Sequence, residues 1–244
     1  MLSTELDIHS QARSFKTFLR DVVLDTDTWA VLKKLVQEND VYVFSGIIRD
    51  FLLGEYCGTR DFDCVLNDQS LHNVSVIDYI RSSVNYRVNS FGGMKIVRPN
   101  LVIDVWNLRD TWGVKQENLP LSPQELIKTG FFNFSSIVYN LKTENFIFDQ
   151  NFVNFLENRS LDIVYPKNPN IALCFVNIFY YQLKYDLKLS FKLLRWMKEN
   201  YQYGMDLESV QVKHFNQVIF KQSNLDFKIL NLINLYNEIQ NRLG

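Results

Sequence analysis

Two aspartates one residue apart, Asp61 and Asp63, are the residues of this chain best placed to do chemistry. They open the run Asp61-Phe62-Asp63-Cys64-Val65-Leu66, whose alternation reads as a strand. Residues i and i+2 of a strand project from one face, about 7 Å apart. Two carboxylates so placed repel each other unless a cation lies between them or each is separately solvated. Hard oxygen donors at that spacing suit Mg²⁺, which binds through one or two carboxylates together with substrate phosphates. A third acid, Asp104, interrupts the apolar run 101–106, where Val102, Asp104 and Trp106 share a face. An acid in such a strand is costly without a partner. If strands 61–66 and 101–106 are neighbours, three carboxylates meet. Three acids around two Mg²⁺ ions form the arrangement for in-line phosphoryl or nucleotidyl transfer. The competing reading is ordinary surface charge at a strand edge, because D-x-D alone is a common tripeptide.

A candidate phosphate site lies upstream. Val41-Tyr42-Val43-Phe44 reads as a buried strand, and Ser45-Gly46 turns it into a short helix, residues 47–54, closed by Gly54. A strand–turn–helix of this kind points backbone N–H groups and the positive helix end at an anion. Gly46 allows close approach of a triphosphate and Ser45 adds a hydroxyl. Arg49 and Asp50 follow one turn into the helix. Arg49 is read as orienting the loop or reaching the triphosphate; the alternative is a buried ion pair between Arg49 and an aspartate.

The elements that must position these residues change character along the 244-residue chain. Up to about residue 150, short β-rich runs alternate with helices. Helical spacing appears over Ala12 to Val23 and Thr28 to Gln37, the latter with N-cap candidates in Asp25, Thr26 and Asp27. A further helix is expected over 69–83. Residues 86–90, 94–98 and 101–106 read as consecutive antiparallel strands, with Gly92-Gly93 and Pro99-Asn100 as turns. After about 152, amphipathic helices dominate: 171–185, 190–200, 207–221 and 225–242. The expectation is an α+β protein: a head of residues 1–145 with a small mixed sheet and flanking helices, then an all-helical part, 146–244.

Composition narrows the functions. The chain is 47% hydrophobic and 22% charged, with a net charge of −1, so it has the apolar content for a core and is no generic basic nucleic-acid coat. Any nucleic-acid site must be a local patch. The 3 cysteines and 3 histidines are scattered, with neither C-x-x-C nor H-E-x-x-H, so neither a disulfide framework nor a zinc site is indicated. The N-terminal residues are polar, and the longest apolar run, Leu173 to Tyr181, is too short to span a bilayer. A soluble, cytoplasmic protein is expected.

Taken together, Ser45-Gly46-x-x-Arg49-Asp50-x-x-Leu53-Gly54 followed by Arg60-Asp61-Phe62-Asp63 resembles the head of class II tRNA nucleotidyltransferases and poly(A) polymerases, within the DNA polymerase β-like nucleotidyltransferase superfamily. The family pattern reads roughly G-G-x-x-R-D-x-L-L-G and then D-x-D; its first Gly is Ser45 here. Ile103-Asp104-Val105 with Leu108-Arg109-Asp110 is similar to the family's strand carrying the third acid and its trailing T-F-R. Residues 129–140 are similar to R-R-D-F-T-I-N-A-I-A-Y-N, but Thr129-Gly130-Phe131 replaces R-R-D and Ser135 replaces the first N. Ile147-Phe148-Asp149 matches the family's I-I-D.

The resemblance implies Asp61, Asp63 and Asp104 as catalytic and metal-ligating residues. It implies Ser45, Gly46, Arg49, Asp50 and Arg109 around the nucleotide, with two Mg²⁺ ions and an NTP substrate. The family's E-D-x-x-R helix, which reads the incoming base, falls on residues 171–190. Its Asp and Arg are Ile171 and Cys174 here, and a second Arg is Asn177. The expected activity is therefore transfer of an NMP to an acceptor hydroxyl, an RNA 3′ end foremost, without ordinary templated CCA addition. Base choice would then rest on backbone groups or on stacking against Tyr180 or Phe175. The alternatives are transfer to a small molecule or a protein side chain, or a non-catalytic nucleotide- or RNA-binding module.

Overall fold

The computed structural model describes residues 5–44, 46–58, 61–67, 86–88, 93–97 and 101–243. The helix expected over 69–83, Ser45, Arg60, Gly92 and the turn at Pro99-Asn100 lie outside them. The described residues divide into two compact units. One comprises residues up to Gly130 together with Phe134–Glu157; the other comprises Phe131–Asn133 and the residues from Asn158 onward.

The first unit is built on a seven-stranded mixed sheet. Its strands are β1 (Val41–Phe44), β2 (Asp61–Leu66), β3 (Tyr86–Val88), β4 (Met94–Val97), β5 (Val102–Asn107), β6 (Ile137–Asn140) and β7 (Asn145–Phe148), in the order β3-β4-β5-β2-β1-β6-β7. Only β2 and β5 run parallel; every other neighbouring pair is antiparallel. Central β1 carries Val41, Tyr42 and Val43 buried, as a strand paired on both edges and covered on both faces demands. β3, β4 and β5 form the expected antiparallel series, which returns the chain to the side of β2.

The helices of this unit are α1 (Glu5–Ser10), α2 (Ala12–Phe18), α3 (Thr26–Glu38), α4 (Gly46–Leu53), α5 (Trp112–Glu117), α6 (Pro123–Leu126) and α7 (Gln150–Asn158). A π-turn, Leu19–Val23, continues α2. The Asp25 side chain caps α3 by accepting from the Thr28 N–H at 2.7 Å. α3 then buries Val31, Leu32 and Leu35, a 3–4 spacing on one face. Gly54 takes a positive φ of 71° after α4, a conformation that costs glycine nothing.

The second unit contains α8 (Ile171–Tyr185), α9 (Phe191–Asn200), α10 (Leu207–Phe215) and α11 (Gln222–Leu243). It is not wholly helical: Ser160–Leu161 (β8) and Lys188–Leu189 (β9) form a short parallel pair. Two residues per strand are too few to leave a periodic signal in sequence. Side-chain caps from Asn170, Ser190 and Asp206 open α8, α9 and α10. Phe175 and Met197 are fully buried, Trp196 nearly so, and buried Gln211 uses both ends of its amide. Its Nε2 donates to the carbonyls of Leu207 and Phe220, and its Oε1 accepts from the N–H groups of Ile219 and Phe220. Phe131–Asn133 joins this unit through Asn133. The Asn133 amide donates to the Ser160 carbonyl, its side-chain oxygen accepts from the Asp162 N–H, and its backbone N–H donates to the Asp162 carbonyl. Among the described residues no helix is long and apolar enough to cross a membrane.

Candidate active site

The sheet sorts its residues by face. Phe62, Cys64, Ile103 and Val105 fall on one side and are fully buried. Asp61, Asp63, Asp104 and Trp106 fall on the other, because paired residues of neighbouring strands share a face and the face alternates along each strand. The parallel register sets Asp63 directly opposite Asp104, and Asp61 opposite Val102. Strands 61–66 and 101–106 are thus adjacent, the condition on which a triad depended. Further along the same face, Tyr42, Val65 and Val138 pack with Leu108, Val114, Leu126 and Ile127 from the segment that contains α5 and α6. The acids lie where that cover gives out: Asp61 is exposed, while Asp63 and Asp104 are half-buried.

Electrostatics follow from this position. Burial first, then the neighbouring Asp104 and Asp61, pushes the Asp63 carboxyl up to about 7, with Lys95 acting in the opposite sense. Lys95 is a site residue that the sequence reading passed over. It faces Asp104 across the β4–β5 ladder, and its Nζ lies 2.5 Å from Asp104 Oδ2. A lysine alternating with Met94 and Ile96 in an otherwise apolar strand was the available signal. Among the described residues no three His, Cys, Asp or Glu side chains converge as they stand on a point that would hold a metal ion. The backbone register brings the acids together, while Asp104 turns an oxygen to the ammonium.

β1 leads toward the same edge of the sheet. Gly46 is the first residue of α4, and a Cβ placed there would meet nothing within 4 Å, so the approach to its backbone is open. Arg49 and Asp50 are both buried one turn later. Arg49 Nε lies 3.0 Å and Nη2 2.9 Å from Asp50 Oδ1, and the guanidinium carbon lies 4.5 Å from the centre of the Phe134 ring. This is the buried pair weighed in the sequence as the alternative to a phosphate contact. Arg109 is exposed on a 3₁₀ turn, Leu108–Asp110, beyond the end of β5 farther from Asp61. The strand carries it away from the acids. A separate cleft of about 420 Å³, lined by Trp29, Lys33, Leu141 and Lys142 among others, opens at the opposite end of the sheet and contains none of the candidate residues.

The positions that the resemblance assigns to a base-reading helix lie in the second unit. Cys174 is buried, and burial pushes its thiol up to about 12. Ile171 is half-buried, and the side-chain oxygen of Asn177 is buried with no hydrogen-bond partner. Phe175 is fully buried against Trp196 and Tyr201, at 5.2 and 5.6 Å between ring centres. The expectation that Phe175 offers a stacking face is therefore corrected: its ring is spent on the core. Tyr180 is half-buried beside Phe215. At the last place of R-R-D, Phe131 packs on Trp196, and Phe132, the next residue, packs on Tyr181.

No protein-family model and no curated protein matches the chain by sequence. Solved structures do match by fold. A CCA-adding enzyme in complex with CTP superposes with a TM-score of 0.60 at 15% identity, over 86% of this chain and 52% of that one. The Thermotoga maritima CCA-adding enzyme complexed with tRNA gives 0.60 at 14%, over 88% and 53%. A tRNA nucleotidyltransferase with a primer tRNA and an incoming ATP analogue gives 0.56 at 16%, over 86% and 60%. The chain therefore spans between half and two thirds of the length of these structures, and it has the fold they share.

Proposed function

We propose that this chain, built on the fold of the tRNA nucleotidyltransferases, is a metal-dependent nucleotidyltransferase. It moves an NMP from an NTP to an acceptor hydroxyl, an RNA 3′ end foremost. One observation carries the reading: Asp63 and Asp104 occupy paired positions of neighbouring strands, with Asp61 on the same face and Gly46 opening α4 from the next strand. The fold alone hosts more than one chemistry, so the argument rests on these residues.

The acids fit Mg²⁺. They offer only hard oxygen donors, and the Asp63 carboxyl, raised by burial first and by Asp104 and Asp61 next, sits where a cation would relieve both. Asp61, Asp63 and Asp104 would hold the ions. When bound, Mg²⁺ supplies neutralisation of the triphosphate and of the departing pyrophosphate, and a lowered pKa for the acceptor hydroxyl. The chain's own groups do the rest. The amides at the start of α4, with Ser45, hold phosphate oxygens at a positive helix end. Arg49, fixed by Asp50 and Phe134, keeps the first turn of α4 rigid beneath them. Asp104 orients the acceptor hydroxyl. The hydroxyl oxygen attacks the α-phosphorus, the bond from that phosphorus to the bridging oxygen of pyrophosphate breaks, and the hydroxyl proton passes by way of a carboxylate to solvent.

Base choice differs from templated CCA addition, because Ile171 and Cys174 can offer a base edge only packing and a weak S–H donor. The test is purified protein with Mg²⁺, each labelled NTP in competition, and tRNA lacking its 3′ end, with total protein and a small-molecule pool as parallel acceptors. Label on RNA with pyrophosphate release, and discrimination among the four NTPs below about tenfold, is expected. A good paired hydrogen bond to a base edge is worth about 1–3 kcal/mol, and its loss leaves less than that. Label in the protein or small-molecule pool would change the acceptor class. Ordered addition of C, C and A would return the chain to the CCA-adding type.

A further inference from the structure

The row of residues that contains the acids continues across the sheet. From β2 outward it reads Asp63, Asp104, Lys95, Arg87, each directly opposite the next and therefore on one face. The two ends of the row differ in chemistry. On the β1 side of the acids lie Gly46 and the N-terminus of α4, a short, fixed donor set. On the β4 and β3 side lie two long cationic side chains, Lys95 with a side chain 43% exposed and Arg87 exposed at the sheet edge.

In-line displacement sets the attacking oxygen and the departing pyrophosphate on opposite sides of the phosphorus. If the triphosphate docks on α4, as the proposed function holds, the acceptor enters from the β4 side. We propose that Lys95 and Arg87 form the acceptor-strand site, binding backbone phosphates of a single-stranded RNA end next to its reacting hydroxyl. Adjacent strands lie about 4.8 Å apart, so the two cations present a step of charge leading away from Asp104. In the free protein Lys95 rests on Asp104, which keeps the ammonium next to the acids until an RNA phosphate takes it over. This inference rests on the nucleotidyltransferase reading and adds the direction from which the acceptor arrives.

Arg87 decides the matter, because it lies beyond Lys95 and holds neither metal nor NTP in the proposed function. Binding of fluorescein-labelled tRNA lacking its 3′ end is measured by anisotropy, without NTP or metal, from 50 to 200 mM salt. Arg87→Ala is expected to weaken binding about three- to tenfold and to reduce the slope of log K against log salt by about 1. In turnover it raises KM for RNA while KM for NTP and the melting temperature stay unchanged; Arg87→Lys restores most of the affinity. Lys95→Ala weakens RNA binding likewise. Unchanged affinity and salt slope in both variants, in a wild type that labels RNA, would overturn this inference and leave the function standing. A loss that falls on NTP affinity instead would also overturn it, in favour of a triphosphate contact. A wild type that binds no RNA removes both this site and the RNA acceptor.

Discussion

Asp63 in the first unit and Cys174 in the second are both ionisable side chains whose pKa burial pushes upward, to about 7 and about 12. The same burial has opposite outcomes. Asp63 sits in a row with Asp104 and Lys95, where like and unlike charges compete and a proton or a cation can resolve the crowding. Cys174 sits among Phe175, Val176 and Ile178, where the neutral thiol is simply one more small apolar group. The first unit has kept costly charge on an otherwise apolar sheet face. In the second, the positions that the resemblance assigns to base reading are half-buried or buried: Cys174 is buried, Ile171 and Asn177 half-buried. Crowded charge on this sheet face is the feature on which the proposed chemistry rests; a buried thiol without charged company offers none.

The largest expected effect breaks the first half of this contrast. Asp61→Asn or Asp63→Asn should lower transfer by at least about 10³-fold, roughly 4 kcal/mol of barrier, because a ligand needed for charge neutralisation is gone. The far-UV circular dichroism should stay unchanged. Wild-type turnover in either variant at saturating Mg²⁺ would end the metal assignment.

Cys174→Arg tests the second half. It introduces the charge that the resemblance assigns to this position, but into a buried place, and an uncompensated buried charge costs about 3–5 kcal/mol. Thermal melting should show a clear loss of stability without any gain in base selectivity. A variant that folds normally and becomes selective for C or A would mean that the helix still reads bases.

The smallest effect concerns pH without metal. The Asp63 carboxyl titrates near 7 in the folded chain and near its ordinary value of 3.8 when unfolded. Between those values the folded state holds the extra proton, so the stability this group contributes is fully present below about pH 4 and is lost as pH rises from there to about 7. Above that it levels off. Asp63→Asn should flatten this slope and raise the melting temperature at pH 8 by a few degrees, since one of the repelling charges is removed. An equal slope in wild type and variant would assign the pH dependence elsewhere.

The parts legible in sequence are those with local causes. The helix over 171–185 is legible end to end in its apolar pattern, and the structure adds local causes in the Asn170 cap and the αL residue Asp186. The acids were legible because charge in an apolar strand is expensive and stands out. Their adjacency was read only as a condition, since a strand does not state its neighbour; the β3–β4–β5 series supplies it. Lys95 escaped because its meaning depends on register: one residue of slip would turn it to the other face. Phe175 was misassigned for the reverse reason. An aromatic in a helix looks the same in sequence whether its ring faces solvent or the core, and Trp196 and Tyr201, which cover it, come 21 and 26 residues later.

The excursion of Phe131–Asn133 has a consequence for how such a chain can be inherited. The backbone passes from the first unit to the second, returns at Phe134, and leaves again at Asn158. A single break in the gene therefore cannot deliver both units whole. A fragment ending at Glu157 carries away three residues whose amides and rings belong to the second unit, and a fragment starting at Asn158 lacks the Asn133 clasp on Ser160 and Asp162. An exchange that treats the helical unit as a cassette beginning at Asn158 therefore leaves the Asn133 hydrogen bonds to Ser160 and Asp162 behind.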